Sequence, residues 1–182
     1  MKNFQKVLTN IIQETSNIFW VLFKVILPVI IVIRALELLG VIPYLAKFLE
    51  PLTSFIGIDG SLGLVWMAAI LVNIYAGMAA FASLQPIFDY TVAETTILGL
   101  IILIAHSLPI EVAIAQKSRV SGIFNLLFRF INAVIAGKIL NYIFIKFDLF
   151  NEKNQSILEI PEKITSNLDW LILQSKNFFI IF

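Results

Sequence analysis

Five polar side chains of the kinds that bind solutes, protons or ions stand inside otherwise apolar stretches of this sequence. They are Asn73, His106, Glu111, Gln116 and Arg129. Amide, imidazole, carboxylate and guanidinium groups are costly within a lipid bilayer, and those that occur there commonly mark a solute or ion pathway. We therefore take these five residues as candidate substrate- or ion-binding groups.

Two of the candidates flank a predicted interruption in a helical pattern. Apolar helical segments run from Glu94 to His106 and from Pro109 through Arg119, and Ser107-Leu108-Pro109 separates them. A helix of about 20 residues is needed to cross the hydrocarbon core, so each arm is too short to span. The pattern predicts a re-entrant helical hairpin, with His106 and Glu111 beside the interruption. Irregular backbone at such depth survives only inside protein or against a wet cavity.

Four of the five candidates also have a purely structural interpretation. His106 fits a satisfied histidine at the interface, and Glu111 lies two residues after Pro109, where a carboxylate stabilises a helix amino terminus. Arg129 can extend its long side chain to the membrane surface. Asn73 belongs to a stripe of small residues at helical spacing that suits a packing face. The stripe comprises Ala69, Asn73, Ala76, Ala80 and Ser83.

The composition shows which environment these residues occupy. Of the 182 residues, 59% are hydrophobic and 14% are charged, and the mean hydropathy is +0.93. A soluble domain averages about 45–50% apolar and about 25% charged residues. Such a domain cannot bury this excess of apolar surface in one core. The lipid bilayer is therefore the expected surrounding of the chain.

The elements follow from the apolar runs and their punctuation. We expect an all-α integral membrane protein with three full spans, an interfacial helix and the re-entrant hairpin. The spans cover about Ile18 to Leu39, Ser61 to Leu84 and Ser121 to Phe147, and the interfacial helix covers Tyr44 to Ile56. The second span lies in a stretch without any charged residue, Gly60 to Phe88. Arg34 and Glu37 are three residues apart and can pair on one helix face.

Several function classes are disfavoured by what the sequence lacks. It contains no cysteine and one histidine, and its net charge is +1. No nucleophile elbow, zinc-binding helix motif or phosphate-binding glycine loop is present. We expect no enzyme activity, no catalytic residue, no metal site and no cofactor. A net charge this small does not favour a nucleic acid partner.

The order of short motifs resembles the Gate, or nucleoside-recognition, domain. Gly40-Val41-Ile42-Pro43, then Glu50-Pro51-Leu52, then Gly57-Ile58-Asp59-Gly60 precede a small-residue helix, and Ala105-His106-Ser107-Leu108-Pro109-Ile110-Glu111 is the closest match. The resemblance covers about residues 18–147. It divides the chain into an amphipathic amino-terminal helix (1–17), a Gate-like transmembrane domain (18–147) and a polar and then apolar carboxyl-terminal segment (148–182).

The resemblance implies similarity to repeat units of concentrative nucleoside transporters, to the ferrous-iron transporter core and to spore maturation membrane proteins. Iron is disfavoured, because the chain lacks both cysteine and a GTPase phosphate loop. The leading hypothesis is a multi-pass cell-membrane transporter, or half of one, for a small and possibly nucleoside-like solute. Its expected partner is a second copy or a paralogous half in inverted orientation. The alternative is a membrane scaffold or assembly protein of the spore-maturation type.

Overall fold

Seven α-helices make up the described part of the computed structural model, which comprises residues 2–85, 88–154 and 172. They are α1 (Lys2–Leu38), α2 (Ile42–Ile56), α3 (Gly60–Leu71), α4 (Ile74–Leu84), α5 (Val92–Ile104), α6 (Leu108–Lys117) and α7 (Gly122–Phe147). Within these residues the only β pairing is one isolated bridge between Thr91 and Lys153. The all-α prediction is confirmed. The apolar run Phe178–Phe182 lies outside the described residues.

Three helical stretches are long and apolar enough to cross a membrane. They are Gln13–Leu38 in α1, Val92–Lys117 formed by α5 and α6 together, and Gly122–Phe147, which is α7. One further apolar pair, α2 with α3, is bent by 91°. The sequence also predicts three spans. However, the segment predicted as the second span is a hairpin, and the segment predicted as a hairpin is a span.

The uncharged stretch is a helical hairpin and not the single span predicted over Ser61 to Leu84. A Cβ atom added at Gly77 of α4 would lie 2.8 Å from the Cβ atom of Ala69 in α3, so α4 folds back along α3. The arms have 12 and 11 residues, about 16–18 Å each, and neither can cross ~30 Å of hydrocarbon. The re-entrant element is thus α3–α4.

Asn73 explains why the helix stops there. It has an extended backbone conformation as the N-cap of α4, and its side-chain oxygen accepts a hydrogen bond from the Ala76 N–H at 2.9 Å. Asparagine caps helices well because its side chain replaces a missing backbone acceptor. The sequence interpretation read Asn73 as a polar residue within a continuous helix, when its capping preference was the better signal.

The stretch predicted as a re-entrant hairpin, Glu94 to Arg119, is a through-going span with a break. Its two halves, α5 and α6, both pack against α7, and their contacts advance in one direction along it. Going along α7, Gly122 lies beside Val112, Arg129 bonds to Ile104, Gly137 lies beside Ile101, and Phe150 just beyond the helix bonds to Ala93. A hairpin would reverse this order halfway. The hairpin interpretation of this stretch is wrong, because Ser107 and Pro109 interrupt the helix without turning the chain back.

Helix α2 joins the first span to the hairpin. The 91° bend between α2 and α3 is the angle expected if α3 runs into the membrane and α2 lies in the interface. Its outer face exposes Tyr44 and Phe48, while Thr53 and Ile56 are buried. At the end of α1, Arg34 and Glu37 form the predicted ion pair at 2.7 Å.

A polar network fixes the base of the hairpin to α5. The Tyr90 hydroxyl donates to Ser61 at 2.7 Å, and the Ser61 hydroxyl donates to Asp59. The backbone N–H of Asp59 donates to Glu94 at 3.1 Å. Burial raises the pKa of Tyr90 above its ordinary value, so the phenol stays protonated and remains a donor. The network attaches the base of the hairpin to the beginning of the broken span.

We predict that residues 89 and 117 lie on opposite sides of the membrane, because α5 and α6 together cross it. Cysteines introduced as Asp89→Cys and Lys117→Cys should react with an impermeant maleimide from opposite sides of sealed vesicles. The chain has no native cysteine to interfere. Lys153→Cys is the control, since Lys153 pairs with Asp89 and should label from the same side. Labelling of residues 89 and 117 from one side would restore the hairpin interpretation.

Candidate functional site

The candidate site is the break between α5 and α6, at residues 105–107. Ser107 adopts a left-handed conformation with φ of 50°, and Pro109 lacks a backbone N–H. The sequence of helical backbone hydrogen bonds is therefore interrupted inside an apolar span. Backbone groups left open in such surroundings must find other partners, because water is not available to them.

Side chains from three directions satisfy the carbonyl groups that the break exposes. The Ile102 carbonyl accepts from His106 Nδ1 at 2.9 Å, the Ile104 carbonyl from Arg129 Nε at 2.8 Å, and the Ala105 carbonyl from Trp66 Nε1 at 3.3 Å. In return, the Ser107 N–H donates to the Ala69 carbonyl of α3 at 2.9 Å. The broken span, the hairpin and α7 therefore meet at one place.

Arg129 supplies the only charge that α7 contributes to this place. Besides its bond to Ile104, the guanidinium forms an ion pair with Glu111 in the first turn of α6. Both charges also lie at favourable helix ends, since α5 ends and α6 begins here. The Arg129 side chain therefore finds its partner inside the fold and does not depend on reaching the membrane surface.

The ion pair is only partly covered by the chain. The side chains of Arg129 and Glu111 are 19% and 34% exposed. Both charges therefore lie at the side of the broken span and not within the hydrophobic core.

The histidine beside the break has a defined tautomer. A backbone carbonyl can only accept, so the bond to Ile102 places a proton on Nδ1 of His106. In the neutral ring Nε2 is then an acceptor, and the ring is partly exposed. His106 can therefore accept a proton or a hydrogen bond at Nε2.

The remaining two candidates lie away from the ion pair. Asn73 caps α4 at the tip of the hairpin, and its side chain is committed to Ala76. Gln116 is exposed near the other end of α6, where it lies against Gly122 at the turn into α7. The structure thus joins Glu111 to Arg129 directly and places His106 on the same break through its bond to the Ile102 carbonyl, whereas Asn73 and Gln116 have other neighbours.

The small-residue stripe packs within the chain. Ala69, Ala76 and Ala80 are fully buried, and Ser83 donates to the Ala79 carbonyl at 2.9 Å. Small residues allow α3 and α4 to approach closely. The stripe is therefore used by the hairpin itself, and is not an open face awaiting a partner.

Two residues of the break were missed as functional groups in the sequence. Trp66 is buried, stacks on Phe130 with ring centroids 5.2 Å apart, and donates its indole N–H to the break. Ser107 provides the backbone turn. A tryptophan within an uncharged helix was a usable signal, because a buried indole N–H usually has an acceptor.

The chemistry available at this place is proton exchange, hydrogen bonding and ion pairing. Within the described residues there is no group of three or more His, Cys, Asp or Glu side chains that could hold a metal ion. One carboxylate, one imidazole and one guanidinium remain. Charged and polar groups of these kinds inside a span are rare, which makes this place the candidate site of the chain.

We predict that Glu111 and Arg129 contribute to stability as a pair. Glu111→Gln or Arg129→Gln alone leaves one uncompensated charge in apolar surroundings, whereas the double variant leaves none. Thermal unfolding in detergent should therefore show a double variant less destabilised than the sum of the singles, with a coupling of about 1–3 kcal/mol. Glu50→Gln, which removes a carboxylate from the exposed surface of α2, is the matched control and should have no effect. Additive losses would contradict the pairing.

Comparison with known proteins gives one informative similarity. The chain is 31% identical over 98 residues to YvoD, an uncharacterized membrane protein from Bacillus subtilis (strain 168); the match covers 54% of this chain and 30% of that protein. The chain thus spans less than a third of the relative's length. No family model and no solved structure matches the sequence. With its apolar helices, this similarity identifies the chain as a multi-pass helical membrane protein.

Proposed function

We propose that this chain is a membrane transport protein, or one half of one, that binds a small solute at the break between α5 and α6. The observation that carries the proposal is the ion pair of Glu111 and Arg129 across a helix break in an apolar span. Secondary transporters commonly bind their substrates where discontinuous helices expose free ends and backbone groups. His106 lies on the same break, where it bonds to the Ile102 carbonyl, and supplies a third polar group.

The arrangement of the hairpin supports the same proposal. The end of α3 reaches the break, where its Ala69 carbonyl accepts from Ser107. The polar network fixes the base of the hairpin, whereas the tip contacts the break through Trp66 and Ala69. Rearrangement of the hairpin tip against the broken span would open the site to one side of the membrane or the other.

An inverted pair is the proposed functional unit. Three spans put the amino-terminal end of α1 and the carboxyl-terminal end of α7 on opposite sides, and two such units in opposite orientations give the pseudo-two-fold arrangement common in secondary transporters. The second unit would be another copy or a paralogous half. That YvoD is much longer than the matched 98 residues leaves room in that protein for further units. A nucleoside-like solute is suggested only by the Gate resemblance.

A scaffold or assembly role is the second candidate. It is favoured by a specific observation. The carbonyl groups that the break exposes accept hydrogen bonds from side chains of the same chain, at Ile102, Ile104 and Ala105. A break satisfied in this way can serve packing alone. Transport and scaffolding are both proposed in preference to catalysis, because the polar groups at the break match no hydrolytic or redox constellation.

The two proposals differ in flux. Purified protein in liposomes should take up a radiolabelled solute added outside faster than protein-free liposomes do. Nucleosides, monocarboxylates and amino acids form the panel. We expect Glu111→Gln to abolish the flux and Glu50→Gln to preserve it, since Glu50 lies on the exposed surface of α2.

The flux measurement needs a folding control. Each variant should elute as a single species from size exclusion and show unchanged helix content by circular dichroism. Equal flux for Glu111→Gln and the parent would remove Glu111 from the transport role. A folded, reconstituted parent without flux for any solute of the panel would favour the scaffold.

A further inference from the structure

We infer that the site takes a small carboxylate anion together with a proton, with Arg129 as the anion-binding group and Glu111 as the proton-binding group. This inference rests on the proposed function and specifies its substrate class. The observation behind it is that Arg129 already holds a carboxylate, the side chain of Glu111. That side chain occupies the position which the carboxylate of a solute would take.

Arg129 has capacity for such a ligand. Its guanidinium carries five N–H donors in a planar fork that suits carboxylates. Nε donates to the Ile104 carbonyl and Nη1 pairs with Glu111, so one fork serves both the backbone and a carboxylate. The bond to Ile104 fixes the plane of the guanidinium. The group therefore stays directed at the break when Glu111 no longer pairs with it.

Electroneutrality couples the proton to the anion. With Glu111 ionised, the pair has no net charge, and the carboxylate repels an incoming anion. When a proton neutralises Glu111, a single positive charge remains in apolar surroundings, which is costly until an anion compensates it. Proton and anion therefore favour each other's binding, and by linkage the effect is reciprocal.

A metal cation is a poor alternative to the proton. Sodium sites in transporters use unwound backbone carbonyls as ligands. Here the Ile104 carbonyl already faces the guanidinium of Arg129, which would repel a cation at the same oxygen. The neighbouring carbonyls of Ile102 and Ala105 accept from His106 and Trp66.

Few other titratable groups face Glu111. Helix α6 packs against α3 and α7; α3 has no titratable side chain, and α7 contributes Arg129 at this level. His106 lies on the connecting segment and is the other titratable group at the break. An experiment must therefore separate Glu111 from His106.

The test measures ligand-induced thermal stabilisation of the full chain in detergent from pH 5 to pH 8. The probes are acetate, lactate and benzoate, with lactamide as the uncharged counterpart of lactate. For the parent, the affinity for at least one of the three anions should fall by about tenfold per pH unit once Glu111 is ionised. Lactamide should give no pH-dependent shift.

The variants assign the roles. Glu111→Gln should bind the anion at every pH with the affinity that the parent has at low pH, and Glu111→Asp should keep the pH dependence. Arg129→Gln should not bind, and Arg129→Lys, which keeps the charge if the former fails to fold, should bind weakly. His106→Gln should retain the pH dependence of the parent.

Several results would overturn the inference. They are pH-independent anion binding by the parent, no stabilisation by any of the three anions, anion binding by Arg129→Gln, or loss of the pH dependence in His106→Gln. Transport is judged separately in liposomes. Proton-linked anion binding without flux rejects the proposed function alone, whereas flux with pH-independent binding rejects this inference alone.

Discussion

A helix that breaks inside an apolar span leaves backbone carbonyl and N–H groups that lipid cannot satisfy, and the fold is arranged around supplying partners for them. Each such group costs several kcal/mol when it is left without a hydrogen bond in hydrocarbon. At residues 105–107 the partners are Trp66 from the hairpin, Arg129 from α7 and His106 from the break itself. Three parts of the chain that are distant in sequence must therefore meet at one level.

The hairpin and the broken span depend on each other for this reason. The tip of α3 accepts the Ser107 N–H that the break leaves open, and the break accepts the indole N–H of Trp66. At the opposite end, Tyr90, Ser61 and Asp59 hold the base of the hairpin, and the first N–H groups of α5 are bonded by the segment that follows α7. The hairpin is anchored at its base, while its tip rests on the site.

Arg129 combines the structural and the chemical demands of the site. A guanidinium is well suited to bond a carbonyl and a carboxylate at the same time, because its donors point in fixed directions. One nitrogen donates to the backbone of α5, and another pairs with the carboxylate of Glu111. The residue that completes the fold at the break is therefore the same one to which the proposed function assigns the solute.

The sequence alone determined the class of the protein. The apolar composition, the helical periodicity, the interruption at Ser107-Leu108-Pro109 and the pairing of Arg34 with Glu37 follow from local chemistry, and they hold in the structure. Local patterns indicate the conformation that each segment prefers, but they do not indicate how one segment packs against another. They also selected His106, Glu111 and Arg129, but without showing that the last two are partners.

Only the tertiary structure decided which interrupted segment turns back and which continues. Asn73 and Ser107 both interrupt apolar helices, and nothing within either segment states the direction in which the chain leaves the interruption. That direction is set by packing: Gly77 fits against Ala69 and closes the hairpin, whereas α5 and α6 both bury a face along α7 and stay in line. The pairing of Glu111 with Arg129 follows from that alignment, because it brings α6 alongside α7.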